Sequence, residues 1–457
     1  MAIPGIKDFF ETIDQRLEQI ELIPVNGKVV EVTGIVIEAK GPDVQIGDLC
    51  EVRFRNRDTS PLPCEVVGFR GERVLLMPLG DLNRIGPGSD VFSTGRSLGV
   101  RVGIDLLGRV LNGLGEPLDD KGPVKGTGYY PLQADPPHPL RRKPVDTPLP
   151  VGIRTIDGLL SLGQGQRIGI FSGSGVGKST LLGMMARNTE ADVNVIALVG
   201  ERGREVQDFL NKDLKEEGMK HSVVIVATSD QPPLVRLKAA MTATAIAEYF
   251  RDMGKNVLLM MDSITRLALA QRDVGLAIGE PPATRGYTPS VFAFLPRLLE
   301  RAGTSEKGSI TGIYTVLVEG DDMNEPVSDA VRGILDGHVV LSRDLTVRNH
   351  YPAIDVLQSI SRIMKDIVSV EHIEAAGRLK EILAVAREAE ELINLGAYKA
   401  GSSPRLDFAV KVKNSIDGFL KQLVDERSSF EETRKGLLAL PLWEDRTDDH
   451  KEEDKKA

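Results

Sequence analysis

The octapeptide Ser172-Gly173-Ser174-Gly175-Val176-Gly177-Lys178-Ser179, followed by Thr180, constrains this chain more than any other stretch. The apolar segment Arg167-Ile168-Gly169-Ile170-Phe171 before it has the character of a buried strand. The segment from Ser179 to Asn188 after it has the character of a helix. Strand, glycine-rich loop and helix is the context in which such a run forms a phosphate-binding loop. Glycines let backbone N–H groups close around phosphate oxygens without Cβ clashes. The helix N-terminus adds unpaired donors and positive dipole. Lys178 brings a cation to the β- and γ-phosphates of a nucleotide, and the Ser179 hydroxyl can ligate Mg²⁺. The first glycine of the usual pattern is replaced by Ser172, a small residue that the turn tolerates.

The chain has 457 residues, room for two or three domains. Its net charge of −9 and lack of a long basic block argue against nucleic acid as a specific partner. No apolar stretch approaches the ~18 residues of a membrane span, and a signal-peptide layout is absent. Cys50 and Cys64 are too few for a disulfide framework or a zinc site, so reduced thiols in a cytoplasmic protein are expected.

Residues 1–23 open with Ile6, Phe9, Phe10, Ile13, Leu17 and Ile20 at helical spacing, an amphipathic helix. That helix fits packing on its own protein or docking to a partner; its mixed charge favours a protein over a lipid surface. Residues 24–95 hold short β-branched runs, at 29–38, 50–54, 64–69 and 73–77, which predict a small β-barrel. Residues 96–150 read as a connector: turn chemistry at 110–118, then a proline-dense extended stretch with a solvated basic patch, Arg141-Arg142-Lys143. From 151 to 360 strands and helices alternate, with strands expected at 167–171, 193–199, 223–228, 256–261, 310–318 and 338–341. This is the pattern of a parallel sheet covered by helices, with ligands at the carboxyl ends of the strands. Residues 361–440 turn helical, over 371–395 and 405–435, and the charged stretch 441–457 reads as disordered.

Four further features bear on chemistry. Strand 193–199 runs into Gly200-Glu201-Arg202-Gly203-Arg204-Glu205, where Glu201 fits either a general base facing a γ-phosphate or a solvated turn. Strand 256–261 ends in Asp262, a Mg²⁺ carboxylate or a helix cap. Arg362 fits an arginine finger or an ordinary surface arginine, and Tyr351 an adenine-stacking ring or a core tyrosine.

The blocks IGIFSGSGVGKSTLLGMMARNT, LVGERGREV, LLMMDSITRLALAQRDVGLAIGEPPATRGYTPSVFAFLPRLLERAG, SDAVRGILDGHVVLSRDL and HYPAIDVLQSISR are long and ordered. Together they resemble the flagellar and type III secretion export ATPases, over residues 25–435. GSGVGKSTLLGMMAR and PLQADPPHPLRRKP lean toward the flagellar member. The resemblance implies a small β-barrel, a RecA-like P-loop α/β domain and a C-terminal helical domain. It implies ATP and Mg²⁺ as cofactors, with phosphate held by Gly173, Ser174, Gly175, Val176, Gly177, Lys178, Ser179 and Thr180. It implies Glu201 as catalytic glutamate, Arg202 as phosphate-sensing arginine, and Ser179 and Asp262 on the metal. It further implies Arg362 acting on the neighbouring subunit's ATP and Tyr351 stacking on adenine. The implied partners are five more copies in a homo-hexameric ring, a dimeric stator-like regulator at the N-terminal helix, a central stalk protein, the export gate, and export substrates with their chaperones. The implied location is the cytoplasmic face of a membrane-embedded apparatus.

Three rivals are weighed against this. A rotary ATP synthase catalytic subunit carries the acidic lever Asp-Glu-Leu-Ser-Glu-Glu-Asp, whereas residues 395–404 here read LGAYKAGSSP. A hexameric RNA helicase calls for a basic, aromatic-bearing first domain, which residues 24–95 lack. A non-catalytic nucleotide-binding scaffold has no use for both Glu201 and Arg362.

Overall fold

The structure is a computed structural model, and it describes residues 26–53, 60–82, 85–126, 128–318, 320, 322–401 and 403–443. The N-terminal amphipathic helix and, from residue 444 on, the charged C-terminal stretch expected from sequence lie outside the described residues; Trp443 before it stacks on Phe408. The chain divides into two compact units, Met1–Leu98 with Val274–Glu280, and Gly99–Asp273 with Pro281–Ala457.

In the first unit six antiparallel strands close a barrel: Gly27–Thr33, Val36–Lys40, Asp48–Arg53, Leu62–Arg70, Arg73–Pro78 and Asp90–Ser97. Alternate residues turn inward and form one core, including Ile37, Val52, Val66, Leu76 and Val91. The run 29–38 is two strands and not one. Gly34, at φ 59°, turns the chain so that Thr33 faces Val36. Cys50 and Cys64 sit opposite each other on paired strands, both buried and both free thiols.

The second unit is built on a sheet whose strands run in the order Ile354–Ser361, Gly337–Leu341, Arg167–Ser172, Ser309–Leu317, Asn256–Asp262, Val193–Val199, Ser222–Ala227 and Arg109–Asn112. All neighbours on this path are parallel except the first pair. The strands are buried almost end to end, as a sheet covered on both faces requires. Two strands on this path were not foreseen. Arg109–Asn112 comes from the expected connector, and Ile354–Ser361 extends the sheet beyond the last strand expected, at the end of the α/β stretch.

In the basic triplet Arg141 and Lys143 are exposed as expected, but Arg142 is not. Arg142 is mostly buried, donating to the carbonyls of Glu300 and Ala302. Nearby, Arg301 makes a buried bidentate pair with Glu248 and donates to the Leu132 carbonyl at 2.6 Å. The connector is thus clamped by guanidinium groups, which suit buried carbonyls better than a lysine ammonium does.

The C-terminal segment forms helices Val370–Asn394, Pro404–Leu420 and Phe430–Leu438. Ser369, Ser403 and Ser429 cap their first turns, and Gly396 at φ 68° follows the end of the first. The helical stretch expected over 405–435 is broken into two helices by residues 421–429. These helices bury Leu379, Ile382, Ile416 and Phe419 against helix Arg154–Leu159, in one core with the sheet. The interrupting loop is held by Arg154, which donates to the carbonyls of Phe419 and Lys421 and pairs with Glu426.

Candidate active site

The phosphate loop follows strand Arg167–Ser172 and leads into helix Lys178–Asn188. Gly175 and Gly177 take φ 78° and 88°, where an L side chain is strained. Those two turns leave Lys178 as the first helical residue. Ser172 is buried, its carbonyl accepts from Val318 N at 2.9 Å, and its hydroxyl has no hydrogen-bond partner.

Sheet order brings the acidic residues to this loop. One strand, Ser309–Leu317, separates the loop strand from Asn256–Asp262, and Thr315 on it donates to Asp262 Oδ1 at 2.7 Å. Lys178 Nζ reaches across to the same oxygen at 2.5 Å. Leu198 pairs with Asp262, so Glu201, three residues beyond Leu198, emerges at the same edge. Its Oε1 lies 3.9 Å from Lys178 Nζ. Its Oε2 pairs with Arg266 at 3.3 Å. Oε1 itself is buried and has no hydrogen-bond partner. Glu201 is therefore no solvated turn residue.

Burial, foremost, pushes the Glu201 carboxyl up to about 8, and the neighbouring Glu205 carboxyl and Asp262 push the same way. Lys178 and Arg266 pull against them. Glu205, hydrogen-bonded to Glu201, is held below its ordinary value. A carboxyl with this profile beside a phosphate loop has the proton affinity of a base working near neutrality.

Tyr351 is no core tyrosine. It is 43% exposed and lines an apolar cavity of about 240 Å³ against the loop, with Val176, Thr180, Met184, Leu341 and Val424. Its ring would lie 3.9 Å from a Cβ on Gly177. Gln422 closes the far wall, its N–H bonded to the Tyr351 carbonyl at 2.9 Å. The Gln422 amide is already committed, donating to the carbonyls of Gly152 and Glu426 and accepting from Arg154 N.

Arg202 and Arg362 are not drawn into this cluster. The Arg202 side chain is 78% exposed, 3.7 Å from Glu205. Arg362 is exposed just beyond Ser361, which pairs with Gly337; His338 in turn pairs with Gly169 on the loop strand. That register puts Arg362 at the sheet edge opposite the phosphate loop.

Three family models match the chain. Residues 29–95 match the β-barrel domain of the ATP synthase alpha/beta family, and 152–361 its nucleotide-binding domain. Residues 368–439 match the C-terminal domain of the type III secretion ATPase EscN. The flagellum-specific ATP synthase of Bacillus subtilis is 56% identical over 414 residues, 91% of this chain and 94% of that protein. The chain belongs to the flagellar and type III secretion ATPases. A type 3 secretion system ATPase of Xanthomonas euvesicatoria is 51% identical over 94% of this chain and 97% of its own length. Assembled EscN of enteropathogenic E. coli matches at a TM-score of 0.86 with 47% identity, over 91% of this chain and 99% of EscN. EscN in complex with its central stalk EscO matches at 0.84, with 46% identity over 91% and 99% of the two chains. As a member of this family the chain is a P-loop ATPase with the barrel, α/β and helical architecture that the sequence blocks implied.

Sequence reasoning missed three contributors to this ATPase site. Thr315 sits inside an apolar strand and Val424 in the loop between C-terminal helices, and neither position carries a local signal. Arg266 was legible in principle. It lies four residues after Asp262, on the first turn of helix Ile264–Ile278.

Proposed function

We propose that this chain hydrolyses ATP to ADP and phosphate for a flagellar type III protein export apparatus, working as a homo-hexameric ring. The observation that carries the chemistry is the cluster of Lys178, Glu201 and Asp262 at one sheet edge. Backbone N–H groups of Gly173 to Gly177 cradle the phosphates, and Lys178 moves from Asp262 to the β- and γ-phosphates. Ser179 and Asp262 would hold Mg²⁺. Asp262 fits that duty as a buried carboxylate whose present partners are a lysine and a hydroxyl. Among the described residues no group of three or more His, Cys, Asp or Glu could hold a metal by itself. The fit is therefore to Mg²⁺ that arrives with phosphate oxygens among its ligands. When bound, it neutralises charge on the phosphates.

Glu201 accepts the proton of the attacking water at its buried carboxylate. Tyr351 stacks on adenine in the apolar cavity. Arg362, at the wrong edge for its own loop, stabilises the transition state in the next subunit. Arg202 senses phosphate from the rim. The family likeness supports a central stalk protein inside the ring, as the EscN–EscO complex has. A dimeric regulator on residues 1–23, the export gate, and substrates with their chaperones complete the proposed partners at the cytoplasmic face of the membrane. Among the described residues no helix is long and apolar enough to cross it.

The second reading is an injectisome ATPase, favoured by the EscN structures and the Xanthomonas relative. Two experiments test the proposal. Turnover of the purified chain should depend on Mg²⁺, rise more steeply than linearly with protein concentration, and vanish in Lys178→Ala. Rod or hook components should co-purify with it from its own cells; needle components instead would assign it to an injectisome.

A further inference from the structure

The reading of Glu201 as base leaves open what fixes its carboxylate, and this inference rests on that reading. We propose that Arg266 is a positioning residue that ties down Oε2 of Glu201, so that Oε1 is the oxygen that takes the proton from water.

Arg266 grips two consecutive residues. Its guanidinium donates to the Gly200 carbonyl and pairs with Glu201 Oε2 at 3.3 Å. One guanidinium nitrogen, Nη1, thereby touches both the backbone of the turn and the side chain that the turn carries. Gly200 is shaped for this approach. It takes φ 73°, and a Cβ there would lie 3.1 Å from both Cβ and Cδ of Arg266. The anchor is itself fixed, since the Arg266 N–H lies 3.4 Å from Ser263 Oγ at the start of the helix that follows Asp262. The same helix start thus sets both the Mg²⁺ carboxylate and the base.

The two oxygens of Glu201 are not equivalent. Oε2 is paired, whereas Oε1 is buried without a donor, 3.9 Å from Lys178 Nζ. Lys178 is committed to Asp262 at 2.5 Å and does not hold Oε1. Without Arg266 the carboxylate would keep only its contact with Glu205 and could swing toward Lys178. Once tethered, it keeps one lone-pair oxygen aimed at the phosphate edge. Proton transfer needs that aim to within a hydrogen-bond length, and a misplacement of about 1 Å costs on the order of 10²-fold in rate.

The test compares Arg266→Ala, Arg266→Lys and Glu201→Gln, singly and combined, in the full chain under ring-forming conditions. The readouts are kcat, KM for ATP, Mg·ADP affinity and melting temperature. Arg266→Ala should lower kcat about 10²-fold while KM and Mg·ADP affinity stay within about twofold, the mark of an interaction that acts on the chemical step. Arg266→Lys, which keeps the positive charge but on a flexible stem without the planar guanidinium, should recover part of the loss. In the Glu201→Gln background, removing Arg266 should cost nothing further, because the group it holds no longer takes a proton.

Unchanged kcat in Arg266→Ala, with Glu201→Gln inactive, overturns the proposal and leaves the base assignment standing. Kinetic losses matched by equal losses of ADP affinity overturn it as well, since the arginine would then be structural. So does a full additional loss in the Glu201→Gln background. Turnover retained in Glu201→Gln itself overturns the base assignment beneath it. If Arg266→Ala fails to fold, Arg266→Lys decides by the same split between kcat and ADP affinity.

Discussion

The register of the sheet predicts that each ATP site is assembled from two chains. Arg362 follows Ser361, which pairs with Gly337, whereas the phosphate loop begins after Ser172, level with Leu341. Gly337 and Leu341 are four residues apart on one strand, so roughly 13 Å of strand separates the two levels. That span is longer than an extended arginine side chain, so Arg362 does not reach back to its own loop. Two defective chains should therefore complement each other. Arg362→Ala keeps its loop and lacks a finger; Lys178→Ala keeps its finger and lacks a working loop. Each alone should fall by about 10³-fold or more, the usual worth of a finger. In rings assembled from an equal mixture of monomers, an intact loop meets an intact finger at about one interface in four. Steady-state phosphate release should then reach up to about a quarter of wild type, more than about 100-fold above either parent. The assay mixes the monomers in dilute solution and then raises the concentration to form rings. Activity equal to the mean of the two parents, with rings shown by light scattering, would refute the finger in trans.

Four further outcomes follow from the same geometry. Tyr351→Ala should raise KM for ATP about tenfold with kcat within about threefold, since stacking binds ground and transition states alike. The cavity is apolar and the Gln422 amide already spoken for, so GTP should turn over with a kcat/KM within about tenfold of ATP, and stronger discrimination would contradict that account. Ser172→Ala removes a buried hydroxyl without a partner and should stabilise the chain by about 1 kcal/mol at unchanged turnover; weaker ATP binding in that variant would show instead that the hydroxyl meets the nucleotide. The Glu201 carboxyl, raised to about 8 by burial, then Glu205 and Asp262, against Lys178 and Arg266, is active only when deprotonated. Hence kcat/KM should climb about tenfold per unit as pH rises toward that value and level off above it, and a flat profile between about pH 6 and about pH 9 would contradict the base.

What was legible in the sequence is what local chemistry dictates. Glycines at 175 and 177 admit a backbone turn that other residues resist, and Asp262 ends an apolar run, so the loop and a carboxylate at the strand end could be read without the fold. The strand Ile354–Ser361 was hidden because Asp355, Gln358 and Ser359 break its apolar pattern at the sheet edge. The barrel hairpin was hidden because β-branched residues continue across Gly34. Arg142 looked solvated because the carbonyls that bury it come from residues 300 and 302. Arg266 and Val424 escaped for the same reason: each matters through a partner that only tertiary folding supplies.

The central claim is that Glu201, held among Lys178, Asp262 and Arg266, is the base for ATP hydrolysis. Its most direct test is single-turnover hydrolysis by Glu201→Gln at saturating ATP, with nucleotide affinity measured on the same preparation. The amide preserves shape and removes basicity. The account predicts that ATP binds with an affinity within about threefold of wild type while hydrolysis slows by about 10³-fold or more. Near-normal hydrolysis in that variant would contradict it.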